Sequence, residues 1–232
     1  MEYSKEQLFD NGIIFFQPKS GYRYNVDSFL LAHFRPNTFK NILDLGTGSG
    51  ILMFLLNQQN PRSHIVGIEK QKVLYDCAIK NIVFNKKESH LQIINEDIIN
   101  FKMLNLKPQS FEMIISNLPY GNDGDGRKNP DEKKKIARHF ENSSFEDWVK
   151  AAAYFLIPHG VFRIIIRVSS FIKYNDILRK YHFEPKYLRF IHSFIYSEAH
   201  TVLIEARRSA KTGVKILSPM IIYKADKTYT DE

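Results

Sequence analysis

The 232-residue chain predicts an α/β fold: a mostly parallel, seven-stranded sheet with helices on both faces and an antiparallel hairpin near its C-terminus. Three observations carry this expectation. Short apolar, β-rich runs alternate with longer segments whose apolar residues recur at helical spacing. The alternation persists from residue 41 to residue 181. Two further β-type runs then follow one another with only a short connector, a spacing that suits an antiparallel pair at the edge of a parallel sheet.

The elements follow in order. A helix over Asn25–Phe34, with Asn25 or Asp27 as its cap, precedes the sheet. Asn41–Leu45 is the first strand, and Ile51–Asn57 the body of a helix beginning near Ser49. His64–Glu69 is the second strand, followed by a helix over Val73–Phe84 in which Val73, Leu74, Cys77, Ala78 and Ile82 recur at helical spacing. Leu91–Asn95 and Phe111–Ser116 are the third and fourth strands. Phe145–Leu156 is a helix capped by Ser143 or Ser144, with Glu146 and Asp147 in the first turn, where the helix dipole favours acids. Val161–Val168 is a strand and Ile172–Tyr181 the last helix. Tyr187–Phe194 and Thr201–Arg207, joined by Ile195–His200, form the hairpin. Gly121–Lys135, rich in Gly, Asp, Asn and Lys, is a loop of the length that compact domains reserve for function. The pattern reads as one domain over residues 1–232, with a leading segment 1–40, a core 41–210 and an extension 211–232.

Composition narrows the function classes. The single cysteine, Cys77, excludes an internal disulfide framework and a CxxC zinc site, and its helical spacing makes it a small buried hydrophobe. No metal site is expected. No apolar run approaches the roughly 18 residues that span a membrane. The polar Met1–Asp10 lacks the form of a signal segment, so a cytoplasmic protein without a membrane partner is expected. Lys and Arg number 33 against 25 Asp and Glu, a net charge of +8, with most of the excess after residue 150. Such an excess suits a polyanion partner, although surplus solubilising lysine produces the same figure. No feature of the sequence bears on oligomeric state.

Asp44-Leu45-Gly46-Thr47-Gly48-Ser49-Gly50 sits where a strand becomes a helix. Glycines there permit a tight turn and let a ligand lie against bare peptide groups. The dinucleotide fingerprint G-x-G-x-x-G would place its third glycine at Ile51; here it falls one residue early, at Gly50. The turn therefore suits a ligand without phosphates, held by backbone groups and nearby carboxylates, such as S-adenosylmethionine. Glu69 ends the second strand about 20 residues on, where an acid can accept from both ribose hydroxyls, a placement that serves NAD equally. Asp97, after the third strand, is placed to bind an adenine amine or, with Ile98, to cap a short helix. Asp44 is placed to receive the amino-acid end of the cofactor. All lie at successive strand ends of one sheet edge, where open α/β folds bind ligands.

Asn117-Leu118-Pro119-Tyr120 follows the fourth strand directly. An sp2 amine is a poor nucleophile because its lone pair is delocalised. Two acceptors, the Asn117 side-chain oxygen and the Leu118 carbonyl, can hold its two hydrogens and favour a pyramidal nitrogen, with Pro119 stiffening the turn. The Tyr120 ring can stack on a flipped-out base. An ordinary Asn-x-Pro turn is the plain alternative, and position on the ligand edge favours the chemical one.

With these residues the chain resembles the class I, Rossmann-like S-adenosylmethionine-dependent methyltransferases that act on amino groups of adenine or glutamine. Their usual tetrapeptide is N-P-P-Y, and Leu118 replaces its first proline. A fuller resemblance, to the bacterial tRNA(Val) adenine-N6 methyltransferases, covers nearly the whole chain. It rests on Gln17, Gly21-Tyr22-Arg23, Asp27-Ser28-Phe29-Leu30-Leu31-Ala32-His33-Phe34, the Asn41–Leu52 run, Asn129-Pro130, Ile136-Ala137-Arg138-His139 and Ser218-Pro219-Met220-Ile221-Ile222-Tyr223. The family's A-R-H-E is interrupted by Phe140, which shifts the glutamate to Glu141. The resemblance implies N6-methylation of an adenosine in tRNA beside the anticodon, with S-adenosylmethionine as cofactor. It further implies that Tyr22 and Arg23 lie near that cofactor and that segment 1–40 closes over it. Asp44, Gly46, Thr47, Gly48, Glu69, Asp97, Ile98 and Asn117 are then the remaining cofactor residues. Lys133, Lys134, Lys135 and Arg138 after the catalytic motif, and Arg207 and Arg208 after the last strand, are expected to flank the site and meet RNA; a solvated basic face is an equal reading for any one of them.

Three alternatives stay open. Adenine-N6 methylation of ribosomal RNA fits the variant N-L-P-Y. Glutamine-N5 methylation of release factors is expected to need an extra N-terminal helical domain, for which the 40 residues before the first core strand give little room. A dehydrogenase or non-catalytic nucleotide-binding module conflicts with the early third glycine and with Asn117–Tyr120.

Overall fold

Nearly every residue in the middle of the central strands is buried, because both faces of the sheet are covered. The computed structural model describes residues 2–8, 12–21, 23–118 and 144–230. Strands β1 (Tyr3–Leu8) and β2 (Ile13–Pro18) pair antiparallel as a separate two-stranded sheet. Then come α1 (Val26–His33), β3 (Asn41–Leu45), α2 (Ile51–Gln59), β4 (His64–Glu69), α3 (Lys72–Phe84), β5 (Leu91–Asn95), a 3-10 helix (Ile98–Met103) and β6 (Phe111–Asn117). The chain continues through α4 (Phe145–Phe155), β7 (Leu156–Arg167), α5 (Phe171–Lys180), β8 (Phe183–His192), β9 (Ala199–Arg208), β10 (Lys215–Ile216) and β11 (Met220–Ile221).

The large sheet runs β10-β8-β9-β7-β6-β3-β4-β5, with β11 also on β8. Among the described residues β9 alone runs against the others, antiparallel to both β7 and β8. The expected parallel sheet with its C-terminal hairpin is therefore present. Its count of seven strands is corrected to nine among the described residues, because two short strands of the extension add to β8.

Alternation divides the core. Ile42, Ile65, Met113, Ile115, Val161, Ile165 and Leu203 pack with α1, α2 and α3. Their neighbours Leu43, Leu45, Ile68, Ile114, Phe162, Ile164 and Ile204 pack with α4 and α5 on the other side. Helix α2 is buried from Ile51 through Asn57, with Phe54 meeting the ring of Phe15 on β2 at 5.5 Å. A helix covered all round carries apolar residues all round, which explains the unbroken run Ile51–Leu56. Ser144, of the two candidate serines, caps α4: its backbone N–H and hydroxyl both donate to Asp147 in a capping box.

The N-terminal hairpin was not expected from the sequence. Its signal is Asn11-Gly12, a turn dipeptide ahead of the β-rich Ile13–Gln17. Two asparagines one helical turn apart dock β2 on α3. Phe16 N donates to Asn81 Oδ1 (2.7 Å), and Asn81 Nδ2 donates back to Phe16 O (3.0 Å). Ile14 N and O make the same pair with Asn85 at 3.1 and 2.7 Å. Four helical residues rise about 6 Å and two strand residues about 6.7 Å, so the amides imitate a neighbouring strand edge.

On the same face, Arg163 and Glu205 are cross-strand partners of β7 and β9, 1% and 0% exposed, so neither charge reaches water. Arg163 donates through Nε at 3.0 Å to Glu205 Oε2, and its NH2 donates to the carbonyl of Arg35. Arg35 lies over the Tyr187 ring at 3.2 Å and pairs with Glu205 at 3.4 Å. This cluster pins the segment between α1 and β3 to the sheet.

Asn81→Ala should lower unfolding stability by about 2 kcal/mol, since the buried Asn81 amide bonds both part-buried backbone groups of Phe16. Asn85→Ala, at a more exposed position, should cost less. Urea unfolding of both variants measures the difference.

Candidate active site at the carboxyl edge of the sheet

The parallel strands β3, β4, β5 and β6 all end on one edge, and the residues singled out from the sequence cluster there. The turn after β3 is built against β4. Gly46 N and Thr47 N both donate to Ile68 O at 2.9 and 3.1 Å, and Gly48 N donates to Glu69 Oε2 at 2.9 Å. Gly46, at φ +67°, combines a left-handed backbone with a close approach: a Cβ there would stand 2.4 Å from the Trp148 ring. Gly67, inside β4, plays a part the sequence reading missed. A Cβ at Gly67 would meet Thr47 Cγ2 and Met53 Sδ at 2.8 Å, so its bare backbone admits the turn. An isolated glycine within a strand run is the available signal for such an approach.

Two buried carboxylates face this turn. Asp44, 0% exposed, accepts from the Thr47 hydroxyl through Oδ2, while its Oδ1 is buried without a partner among the described residues. Burial, reinforced by the charge of Glu69 and opposed by the Thr47 bond, pushes Asp44 up to about 7. Burial also raises Glu69, against the backbone N–H groups of Gln71 (2.8 Å) and Gly48 that favour its ionised form. The Lys70 N–H adds a third backbone bond, and the Lys70 charge acts in the same direction.

At the end of β6, Asn117 Nδ2 donates to Ser28 Oγ of α1 at 3.0 Å. Ser28 is buried, and the bond holds the Asn117 amide against α1 with its Oδ1 left as the other branch. The contribution of Ser28 was not foreseen as a contact, although it lies in the Asp27–Phe34 signature. Leu118 is buried behind Asn117. Pro119, Tyr120, Lys133, Lys134, Lys135, Arg138, Glu141 and Tyr22 lie outside the described residues.

The remaining expectations divide. Asp97 follows β5 at the same edge, but its Oδ1 accepts from Ile99 N at 3.2 Å, capping the 3-10 helix, and Lys70 lies 3.7 Å from its Oδ2. Ile98 is buried beneath. Arg23 belongs to the hairpin: its guanidinium meets Glu6 at 2.5 Å and Ser4 at 3.1 Å. Arg207 and Arg208 are corrected. Because β9 runs antiparallel, its end lies at the opposite edge from Asn117, where Arg207 pairs with Val161 and Arg208 donates to Leu156 O. These arginines do not flank the carboxyl-edge site.

A family model described as the methyltransferase small domain matches residues 25–188. The chain belongs to that family. Among curated relatives, the methyltransferase is 29% identical over 162 residues to the tRNA1(Val) (adenine(37)-N6)-methyltransferase of Bacteroides fragilis, covering 68% of this chain and 66% of the relative. It is 30% identical over 173 residues to the enzyme of the same name from Pedobacter heparinus, covering 74% of this chain and 71% of that one. Among solved structures, a protein described as a predicted O-methyltransferase of Agrobacterium tumefaciens shares the fold with a TM-score of 0.70 at 18% identity, covering 88% and 92% of the two chains. The matched span begins at α1 and takes in the glycine turn, both carboxylates and Asn117. No helix among the described residues is long and apolar enough to cross a membrane.

The Asp44 environment has a pH consequence. A buried carboxyl raised from the ordinary 3.8 to about 7 favours the folded state below its unfolded value, and that contribution is lost as pH rises through 7. The ligand-free methyltransferase should therefore lose a few kcal/mol of unfolding stability between about pH 4 and about pH 8 through this group. Asp44→Asn should flatten that slope. Urea midpoints of both proteins across the range give the comparison.

Proposed function

We propose that this methyltransferase transfers the methyl group of S-adenosylmethionine to N6 of an adenosine in tRNA, in valine tRNA beside the anticodon. The observation that carries the reading is Asn117 at the end of β6, its Nδ2 engaged by Ser28 and its amide so turned that the other branch is an acceptor. The names of the curated relatives support the same substrate.

The residues of the edge fit the cofactor. Asp44 Oδ1, an unpartnered buried acceptor, suits the cationic amino group of the methionine end. Glu69, at the end of β4, is placed to accept from the ribose hydroxyls, and the Gly46-Thr47-Gly48 turn presents bare backbone to the ligand. Asp97 and Ile98 border the adenine, while Tyr22 and Arg23 belong to the segment that covers the site. When bound, the cofactor supplies a methyl carbon made electrophilic by its sulfonium.

The chain's own work is positioning. Asn117 Oδ1 and the Leu118 carbonyl accept the two hydrogens of the adenine amine, which localises the nitrogen lone pair toward the methyl group. Ser28 keeps the Asn117 amide from rotating, so its acceptor is in place before the substrate arrives. The Tyr120 ring stacks on the extruded base. Methyl transfer leaves the nitrogen positively charged, and the surplus proton passes to water. Lys133, Lys134, Lys135 and Arg138 meet the RNA backbone.

Incubation with unmodified transfer RNA and labelled cofactor, then nuclease digestion and mass spectrometry, should yield N6-methyladenosine in valine tRNA; label confined to protein would sink the reading. Asn117→Ala should reduce kcat by about a hundredfold or more, with cofactor affinity within about threefold of the parent. Ser28→Ala should lower kcat less, also without weakening cofactor binding, as calorimetry and steady-state rates would register.

A further inference from the structure

The reversal of β9 brings one further segment to the catalytic edge. The register runs from Asn117 on β6 to Ile165 on β7, from Arg167 on β7 to Thr201 on β9, and from Ala199 on β9 to His192 on β8. The turn between β8 and β9 therefore emerges on the same edge as Asn117, three strand spacings away, or about 14 Å. At its tip Tyr196 is 97% exposed, beside Ile195 at 68%.

This turn is well fixed. Ser197 bonds Phe194 through backbone and side chain (2.8–3.0 Å), and its carbonyl lies 2.6 Å from His192 Nδ1. The C-terminal extension braces it from the side: Ile222 N and Tyr223 N donate to His192 O and Ser193 O, and the Tyr223 ring lies 5.7 Å from that of Phe194. The Tyr196 ring is therefore held at a fixed place on this edge with both faces open to a planar partner. Arg167 and His200 border the turn on the side of Asn117, with Asp27 and Glu198 as the acids there, and Lys224, Asp226 and Lys227 follow on the extension. An exposed aromatic on a fixed turn, at the edge that carries Asn117, is the contact that an unpaired base can stack on.

We propose that Tyr196 stacks on an unpaired base of the RNA substrate a few nucleotides from the methylated adenosine, which rests on the RNA-methyltransferase reading above. The ring provides the contact, every base has a face to offer it, and the fixed turn presents it without ordering on binding.

The test measures KM for an unmodified valine tRNA transcript, kcat and cofactor affinity in the parent, Tyr196→Ala and Tyr196→Phe. Tyr196→Ala should raise KM on the order of tenfold, with kcat at saturating RNA and cofactor affinity changed by less than about twofold. Tyr196→Phe should match the parent. An unchanged KM in Tyr196→Ala, with the parent active on RNA, overturns this proposal and leaves the methyltransferase reading standing. Equal loss in both variants overturns stacking in favour of a hydroxyl bond. A dimer that Tyr196→Ala dissociates while KM stays the same makes the ring a protein contact instead. A parent inactive on every RNA removes this proposal together with the reading beneath it.

Discussion

The carboxyl edge depends on how the glycine turn is tied down. Its N–H groups would be unsatisfied in a buried setting, and β4 supplies the acceptors: Ile68 O for Gly46 and Thr47, Glu69 Oε2 for Gly48. From behind, Asn81 Nδ2 donates to Ser49 O at 3.0 Å while the same side chain holds β2. The turn is thus fastened to a neighbouring strand, to α3 and, through Asn81, to the N-terminal hairpin. Remove Glu69 and the turn loses a partner and its electrostatic link to Asp44 at once.

Charge is distributed by burial more than by number. Asp44 is enclosed beside Glu69, whose charge makes it harder still to ionise, whereas Lys70 and three backbone N–H groups ease the ionisation of Glu69. Arg163 and Glu205 solve the same problem inside the protein, each providing the other's counter-charge under the α1 segment. Replacing both with apolar residues of similar volume is often tolerated, whereas removing one strands the other. Asp44 is thus left with an unpartnered oxygen among the described residues, while Arg163 and Glu205 are completed by folding.

Much of this was legible because the central strands are short, apolar and buried on both faces. Asn41–Leu45, His64–Glu69 and Leu91–Asn95 have the boundaries their composition suggested. The hairpin was not legible in the same way: β1 reads Tyr-Ser-Lys-Glu-Gln-Leu, whose polarity reflects a strand with one exposed face. Arg207 and Arg208 show a different limit. Sequence marks them as lying at the end of a strand, but only the antiparallel register decides which edge that end reaches. Ser28 stood within a recognised signature, yet its bond to a residue 89 positions away is a tertiary fact. Asp97 was weighed both as a ligand and as a cap, and its bond to Ile99 N fulfils the cap without removing it from the edge.

The pairing of β2 with α3 also governs when the chain can fold during synthesis. Phe16 finds its partner Asn81 65 residues later, and Arg35 receives Arg163 only after 128 more. As the ribosome delivers the protein from its N-terminus, the first hairpin waits for α3, and the segment below α1 waits for β7. Contacts so distant in sequence slow folding and leave apolar surface uncovered in the interval. Phe15, completely enclosed in the finished molecule, is made before α2 and has to await it before its ring meets Phe54. The segment ahead of α2 is therefore where a chaperone has most to protect.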